Sequence, residues 1–383
     1  MRVAFVCVGD PEDPHYWSGI PHYMLRHLVS ENCEVDVIAP LSRSFRYLYM
    51  GRKLVQKIGG SRFDIERQPL ALANYRNQIV RRLKESAVDL VFSPSSIPIA
   101  MLGGHIPVIY WTDAVWDIMV DYYEAFSNLT RTSVVNGHRQ EQMAMDRSAF
   151  AVYSSDWAAE GARRNYRVEP SKIRVIPFGA NMDVKHDAAE LLTMVKRRSR
   201  DHCRLLFLGV EWKRKGGELA METARLLNRA GLATTLTVTG CDPFGRSPKP
   251  AFVENLGYIS KRTDAGRSKL EHLLSSSHFL ILPTRAEAAG IVFCEASAFG
   301  LPCVTTDTGG LSSYVRDGVN GIRLTFEATA EDYAREIFRI FNDKHLYREM
   351  SLAGFNEYKT RLNWTTSVKS LVRLMSECIE RSL

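Results

Sequence analysis

Apolar residues along this chain recur with two spacings, one typical of strands and one typical of helices. Short apolar runs such as residues 3–8 predict buried strands, and an apolar position every three or four residues predicts a helix. In the first half, the predicted strands are 2–8, 34–39, 88–93, 108–111 and 150–153, and the predicted helices are 20–29, 71–85, 134–146 and 155–166. Ser155 or Asp156 is expected to cap the last of these helices.

The alternation starts again after a Pro-Gly hinge at residues 177–179. The predicted strands of the second half are 205–208, 235–239, 279–282 and 303–305, and its predicted helices are 216–230, 268–274, 291–298, 330–341 and 346–361. Strands that alternate with helices form parallel sheets covered by helices on both faces. The sequence therefore predicts an α/β fold of two doubly wound domains that face each other across a cleft. Ligands are expected beyond the carboxyl ends of the strands.

Composition narrows the class of protein. The chain has 383 residues, of which 45% are hydrophobic and 24% charged, as in ordinary soluble domains. Seven cysteines are scattered without a CxxC pair, which argues against a disulfide framework or a zinc site and predicts reduced thiols. No apolar run approaches the roughly 20 residues of a membrane span. The chain opens with a strand rather than a signal sequence, so we expect a cytoplasmic protein.

The formal net charge of +7 is concentrated in one stretch. Between Arg43 and Ser86 there are eleven lysines and arginines, the last of them Lys84, against three acids, which makes this stretch +8. We call residues 43–84 the basic segment. Aromatic and apolar residues are interleaved with its charges. Such a segment suits an anionic membrane surface at the inner face of the membrane, an acidic acceptor or nucleic acid, or it is a solvated helix face. Without zinc-finger spacing or an RNA-recognition signature, no nucleic-acid partner is expected.

The stretch FLGVEWKRKGG at residues 207–217 places three cations beside a helix start. Lys213, Arg214 and Lys215 lie in the loop between a predicted strand and a predicted helix. Backbone amides and the helix dipole add to such charges, so the loop predicts an anion site, with a solvated basic loop as the alternative. Neither a Walker loop nor a GxGxxG fingerprint is present.

The stretch EAAGIVFCE at residues 287–295 carries two glutamates around a glycine. In one continuous helix, with about 100° per residue, Glu287 and Glu295 would point in different directions. We instead expect a helix to begin after Gly290, with Glu287 in the loop before it. Free amides at 291–293 would then hold a diphosphate while each carboxylate accepts hydrogen bonds from sugar hydroxyls. The alternative is a pair of surface glutamates that flank an amphipathic helix.

Two further polar pairs follow strands of the first half. Ser18 and Gly19 come after the first strand, in the first βα turn, where a phosphate or sugar can bind. Thr112 and Asp113 follow the strand 108–111, at its carboxyl end. Asp113 is expected to face a ligand, with an N-cap role on the next helix as the alternative.

Taken together, these motifs resemble those of the family 4 glycosyltransferases. Residues 287–322, EAAGIVFCEASAFGLPCVTTDTGGLSSYVRDGVNGI, match the E-x7-E block of that family and the glycines that follow it. NLGYIS at 255–260 matches the segment that meets the nucleotide base, VIPFGAN at 175–181 the entry to the second domain, and 363–375 the closing helix.

The resemblance implies a GT-B fold and a defined organisation. The expected domains are a Rossmann-like acceptor-side domain (1–180), a Rossmann-like nucleotide-sugar-binding domain (181–362) and a C-terminal helix that crosses back onto the first domain (363–383). The implied activity moves a sugar from a nucleotide-sugar donor to a glycan, lipid-linked or small-molecule acceptor with retention of configuration. It requires no cofactor and no metal.

The resemblance also assigns roles to individual positions. Glu287 is expected to hold hydroxyls of the donor sugar, Glu295 to hold the ribose hydroxyls and Lys215 to neutralise the leaving diphosphate. Where the family has an arginine, this chain has Val210, so Arg214 is the expected substitute. Where the family has a histidine near the reacting sugar, this chain offers Asp113 or Thr112. Further donor-binding residues are expected at Gly19, Tyr258, Ala289, Gly290, Ile291 and Val292, and acceptor-side residues at Ser18 and Thr112.

Two other functions fit the same fold. A nucleotide-sugar epimerase has similar domains but needs no acceptor, and the E-x7-E block disfavours it. A non-catalytic sugar-binding subunit would keep the fold without turnover, and the presence of Glu287, Glu295, Lys215 and Gly19 argues against it.

Overall fold

The computed structural model describes residues 1–51 and 60–381. The chain divides into two compact units, Met1–Pro177 with Trp364–Leu383, and Phe178–Asn363. Each unit contains a six-stranded sheet in which every neighbouring pair of strands is parallel, with helices packed on it. The predicted pair of parallel α/β sheets is confirmed.

The sheet of the first unit has the strand order β2-β1-β3-β4-β5-β6. The strands β3, β4 and β5 are buried along their whole length, which explains their uninterrupted apolar sequences. All five strands predicted in this half are confirmed. The strands are β1 (Arg2–Val6), β2 (Glu34–Ile38), β3 (Leu90–Ser93), β4 (Val108–Thr112), β5 (Phe150–Tyr153) and β6 (Ile173–Val175).

The four helices predicted in the first half are also confirmed. The N-cap of α5 is Ser155 and not Asp156, because the Ser155 side chain accepts a hydrogen bond from the amide of Ala158. The helices are α1 (Ile20–Ser30), α2 (Pro69–Leu83), the short α3 (Trp116–Met119), α4 (Arg131–Arg147) and α5 (Asp156–Asn165).

The sheet of the second unit has the strand order β12-β11-β10-β7-β8-β9. Its strands are β7 (Cys203–Leu208), β8 (Thr234–Thr239), β9 (Val253–Asn255), β10 (Phe279–Leu282), β11 (Cys303–Thr306) and β12 (Gly321–Leu324). Sequence patterning missed β6 and β12 and did not define β9 as a separate strand. All three lie at a sheet edge, where only one residue of each is buried, so no apolar run marks them.

The helices of the second unit follow the predicted pattern with one addition. They are α6 (Ala188–Arg197), α7 (Gly217–Arg229), α8 (Asp264–Ser276), α9 (Ile291–Ala298), α10 (Ala330–Asn342) and α11 (Lys344–Thr360). The additional helix is α6, which begins at a capping box formed by Asp187 and Glu190. Helix α9 is buried from Phe293 to its end, so this part of the helix has no solvent-exposed polar face. The charged residue Glu295 is buried with it.

The last helix, α12 (Trp364–Glu380), packs within the first unit. Trp364 stacks on Tyr23 of α1, with ring centroids 6.2 Å apart, and meets the edge of Trp111 at 5.7 Å. Ser367 Oγ donates a hydrogen bond to the carbonyl of Pro177. These aromatic contacts attach α12 to both α1 and the end of β4.

The structure gives the state of the cysteines and the hydropathy of the helices. All seven cysteines are free, and six of them are buried. Within residues 1–51 and 60–381, no helix combines the length and the hydropathy that a membrane span requires.

A buried carboxylate, Glu141 on α4, links three segments of the first unit. Its Oε2 accepts a hydrogen bond from Ser96 Oγ at 3.0 Å, and the amide of Trp116 also donates to it. Ser96 follows β3 and Trp116 lies just beyond β4, so Glu141 ties α4 to loops at the carboxyl ends of both strands. Burial raises the pKa of Glu141 to about 7, although the Arg67 charge and both hydrogen bonds act to lower it.

Glu141→Gln is expected to flatten the pH dependence of stability in the first unit. Burial raises the pKa of Glu141 from its ordinary value of 4.5 to about 7. The contribution of Glu141 to stability is therefore fully present below pH 4.5 and is lost as the pH rises through about 7. At about pH 8 the glutamine variant should be more stable than wild type by up to about 3 kcal/mol. Urea unfolding at several pH values measures this, with Glu85→Gln at an exposed carboxylate as the control. A variant with the wild-type pH dependence would contradict the expectation.

Candidate functional site

The loop between β7 and α7 is shaped by a glycine that no other residue can replace without strain. Gly216 has a left-handed backbone, with φ of +76°, and a Cβ at this position would lie 2.0 Å from the carbonyl oxygen of Pro283. Lys215, the residue before it, crosses Gly209 at the end of β7, since a Cβ on Gly209 would come within 3.2 Å of Lys215 Cγ. The turn therefore directs the Lys215 side chain toward the loop after β10.

Lys215 meets Glu287 in a buried ion pair. Both side chains are about nine-tenths shielded from solvent. Arg214 lies on the same carboxylate, with Nη1 3.6 Å from Glu287 Oε2, and it donates to the carbonyl of Ala286 at 2.5 Å. Lys213 is exposed. The structure thus brings together the predicted residues Lys215, Arg214 and Glu287, with two cations on one carboxylate.

Helix α9 begins at Ile291 directly after Gly290, as predicted. The expectation of free amides at 291–293 is wrong for two of them. The amide of Ile291 donates to the carbonyl of Ala289, and that of Phe293 to the carbonyl of Gly290. Gly290 also has a packing reason to be glycine, because a Cβ there would lie 2.2 Å from the Phe293 ring. The turn thus uses two of these three donors within itself.

Both glutamates of the stretch 287–295 are buried, Glu287 with 7% of its surface exposed and Glu295 with 2%. The alternative of two surface glutamates is therefore wrong. Glu295 pairs with Lys261, a residue of the loop between β9 and α8. Sequence reasoning missed Lys261, because a single lysine beside two other polar residues forms no motif. Its only signal was its place just after the segment 255–260.

The remaining donor-side residues of the second unit belong to the segments that carry these two pairs. Tyr258 is exposed and belongs to the loop that also carries Lys261, while Ile291 and Val292 in the first turn of α9 are partly exposed. Ala289 and Gly290 connect Glu287 to α9. The amide of Gly310 donates to the carbonyl of Glu287 at 3.0 Å, which fixes the loop from the side of β11.

The candidate residues of the first unit lie at the carboxyl edge of its sheet. Ser18 and Gly19, with φ of +54° and +82°, form the turn between β1 and α1. Thr112 is the buried last residue of β4, and Asp113 follows it half-buried. Asp113 is not an N-cap, because the cap of α3 is Val115. A left-handed serine is an uncommon conformation that is typical of functional turns.

The basic segment combines paired charges with an exposed apolar turn. Arg52, Lys53 and Lys57 lie outside the described residues. Among the others, Arg43 and Arg46 pair with Glu66, Arg62 with Glu124, Arg67 with Asp64 and Arg82 with Asp36. Residues 46–51 are helical and expose Tyr47, Leu48 and Met50 by 79%, 73% and 60%. Part of the segment is thus a solvated, ion-paired surface, and part is an apolar patch beside cations.

No group of three or more His, Cys, Asp or Glu side chains in the described part of the chain is arranged to hold a metal ion. The positive charge at the site comes from side chains, chiefly Lys215, Arg214 and Lys261.

Models of known protein families match both halves of the chain. A family model described as Glycosyltransferase Family 4 matches residues 22–184, and one described as Glycosyl transferases group 1 matches residues 190–357. Between them they cover most of both units.

Individual relatives are more distant. The chain is 28% identical over 230 residues to D-inositol 3-phosphate glycosyltransferase of Acidothermus cellulolyticus, which covers 56% of this chain and 50% of the relative. It is 28% identical over 186 residues to the lipopolysaccharide glucosyltransferase WaaG of Escherichia coli, covering 46% and 48%. The chain thus matches about half the length of these curated relatives. Sucrose-phosphate synthase from Thermosynechococcus elongatus has the same fold over the full length of both chains, with a TM-score of 0.70 and 16% identity.

Gly216→Ala is expected to destabilise the second unit by about 2 kcal/mol or more, because alanine must adopt a left-handed backbone and its Cβ meets a carbonyl oxygen. Thermal unfolding measures the loss. Gly354→Ala, within α11, is the control. A Cβ there lies 3.6 Å from that of Asn320, an ordinary contact, and should be neutral or slightly stabilising. Equal melting temperatures for Gly216→Ala and wild type would contradict this account of the loop.

Proposed function

The chain belongs to glycosyltransferase family 4 and has the GT-B fold, and on that basis we propose that it transfers a sugar from a nucleotide-sugar donor to an acceptor. The observation that carries the proposal is the buried Lys215–Glu287 pair with Arg214 beside it. Two cations and one carboxylate at the end of a parallel sheet match the two halves of such a donor, a diphosphate and a polyhydroxylated sugar.

The cations act on the leaving group. When the bond between sugar and diphosphate breaks, negative charge develops on the phosphate oxygens. Lys215 and Arg214 stabilise that charge from positions fixed before the reaction begins. This supply of positive charge supports a reaction without a divalent metal ion, which we include in the proposal.

The carboxylates act on the sugars. Glu287 exchanges its contact with Lys215 for hydrogen bonds from hydroxyls of the transferred sugar, and the released ammonium turns to the diphosphate. Glu295 accepts hydrogen bonds from the ribose hydroxyls, with Tyr258 and its loop at the base. Retention of configuration is implied by the resemblance of residues 287–295 to the E-x7-E block of the family, and we include it in the proposal.

The acceptor is proposed to bind at the first unit. Ser18, Thr112 and Asp113 lie at the carboxyl edge of its sheet, and Asp113 is the group best suited to accept a hydrogen bond from an acceptor hydroxyl. Gly19, in the same turn as Ser18, stays a proposed donor-binding residue. The names of two relatives contain an inositol phosphate and a lipopolysaccharide. We accordingly propose a carbohydrate or lipid-linked acceptor that bears negative charge, which suits the basic segment.

Glu287→Ala and Lys215→Ala are each expected to lower turnover at least about tenfold. The first variant loses the contact with the donor sugar, and the second loses the cation that neutralises the leaving diphosphate. Each variant also leaves its partner's charge buried and unpaired, so circular dichroism must show that it is folded at the assay temperature. Nucleotide release from a panel of nucleotide sugars, with and without acceptors, measures turnover. Glu271→Ala and Lys196→Ala, at exposed positions on α8 and α6, are the matched controls.

The same assay separates the competing functions. Nucleotide release that requires an acceptor supports the transferase. Isomerisation of the sugar without an acceptor indicates an epimerase, and tight binding without turnover indicates a non-catalytic subunit. Near wild-type turnover in a folded Glu287→Ala or Lys215→Ala variant would remove these residues from the reaction.

We further propose that the basic segment contacts an anionic membrane surface, so that the enzyme works peripherally on the cytoplasmic side. Exposed Tyr47, Leu48 and Met50 would insert at the level of the lipid headgroups. Neighbouring lysines and arginines would attract the negative charge of these headgroups. This arrangement brings the first unit to a lipid-linked acceptor.

Pelleting with vesicles tests the membrane contact. The protein should sediment with vesicles that contain phosphatidylglycerol, less so as salt is raised, and not with phosphatidylcholine alone. The triple variant Tyr47→Ala, Leu48→Ala, Met50→Ala should lose most of this binding, whereas Phe338→Ala, which removes an exposed aromatic residue of α10, should retain it. Failure of the wild type to pellet at low salt would leave the segment as a solvated surface.

A further inference from the structure

Lys261 is a charged residue of the second unit to which the sequence motif assigns no role. Its ammonium pairs with Glu295, whose side chain is 3% exposed, while its own side chain is 38% exposed. One end of this pair is therefore buried in α9, and the other still faces solvent. A buried carboxylate of this kind requires a cation, but a cation that also reaches solvent remains accessible to a ligand.

The backbone of Lys261 is held in place by the start of α8. Arg267 Nη1 donates to the carbonyl of Lys261 at 2.7 Å, and Arg267 is itself paired with Asp264. Gly266 lets the loop lie directly on α8, because a Cβ there would be 1.9 Å from the carbonyl oxygen of Ser260. These contacts restrict the loop, so the position of the Lys261 ammonium beside Glu295 does not depend on the ion pair alone.

The two groups have complementary hydrogen-bonding capacities. An ionised carboxylate only accepts hydrogen bonds, and an ammonium only donates them. Each hydroxyl of a ribose both donates and accepts, and its 2′ and 3′ hydroxyls lie side by side. Glu295 can accept hydrogen bonds from the ribose hydroxyls while Lys261 donates one to a hydroxyl oxygen. The Lys261 ammonium has three N–H bonds, so at least one of them can still donate to Glu295.

We propose that Lys261 is a specificity-determining residue of the donor site, which reads the ribose 2′,3′-diol of the nucleotide together with Glu295. This inference rests on the proposed function, because it takes the ligand of Glu295 to be a nucleotide ribose. It adds a residue that selects ribonucleotide donors over 2′-deoxyribonucleotide donors.

The proposal differs from a purely structural role for Lys261 in one measurable respect. If Lys261 only balanced the charge of Glu295, its loss would not change the preference for the ribonucleotide in a Glu295→Gln background, where there is no charge to balance. If it contacts the diol, its loss should weaken the ribonucleotide more than the 2′-deoxyribonucleotide in that background too.

The experiment measures the affinities of UDP, GDP and ADP, each beside its 2′-deoxy counterpart, by isothermal titration calorimetry on the full chain. For the nucleotide that wild type binds most tightly, the ribo form should bind at least about tenfold more tightly than the deoxy form. Lys261→Met should weaken the ribo form about tenfold and the deoxy form at most about threefold, and it should still weaken the ribo form more than the deoxy form when added to Glu295→Gln. Lys261→Arg, which keeps a cationic donor, should restore part of the preference. Lys269→Met, which removes an exposed lysine of α8, should behave as wild type.

Each outcome has one meaning. Equal losses for ribo and deoxy forms, an unchanged Lys261→Met variant, or no selective loss in the Glu295→Gln background would overturn the inference, while wild-type binding leaves the proposed function standing. Failure of wild type to bind any of the three nucleoside diphosphates would overturn the proposed function and this inference with it. Thermal unfolding of Lys261→Met shows whether the variant is folded. If it is not, the double variant Glu295→Gln with Lys261→Met, which removes both charges of the pair, is compared with Glu295→Gln alone and must show the selective loss.

Discussion

A carboxylate that is removed from water needs a cation beside it, and this constraint organises the second unit. Glu287 lies in the loop between β10 and α9 and is almost fully buried, so its charge is tolerable only because Lys215 and Arg214 reach it. Those residues reach it because Gly216 permits a turn that presses against Pro283. A backbone feature of one loop thus decides the electrostatics of another.

The same constraint recurs on the other side of the first turn of α9. Glu295 is buried within a helix that has no polar face, and Lys261 supplies its charge from a different loop. Each of the two pairs thus joins a glutamate of the stretch 287–295 to a cation from a separate loop.

The first unit uses buried charge differently. Glu141 carries a raised pKa because it is buried, and it connects loops at the carboxyl ends of β3 and β4. Around the basic segment, most described cations have acidic partners, so the exposed apolar turn at 46–51 distinguishes this surface more than its net charge does. A count of charges in sequence cannot separate paired from unpaired cations.

The sequence by itself determined the two parallel α/β sheets, nearly all the long helices and the start of α9 at Ile291, because buried strands and amphipathic helices leave periodic apolar patterns. It did not mark the edge strands β6 and β12, in which all residues but one are only partly buried. Only the tertiary structure decided which charges meet. Lys261 is 34 residues from Glu295, and no local pattern records such a contact. Only the structure, too, showed that the amides of Ile291 and Phe293 are used within their own turn, since hydrogen-bond partners depend on how the backbone closes rather than on residue type.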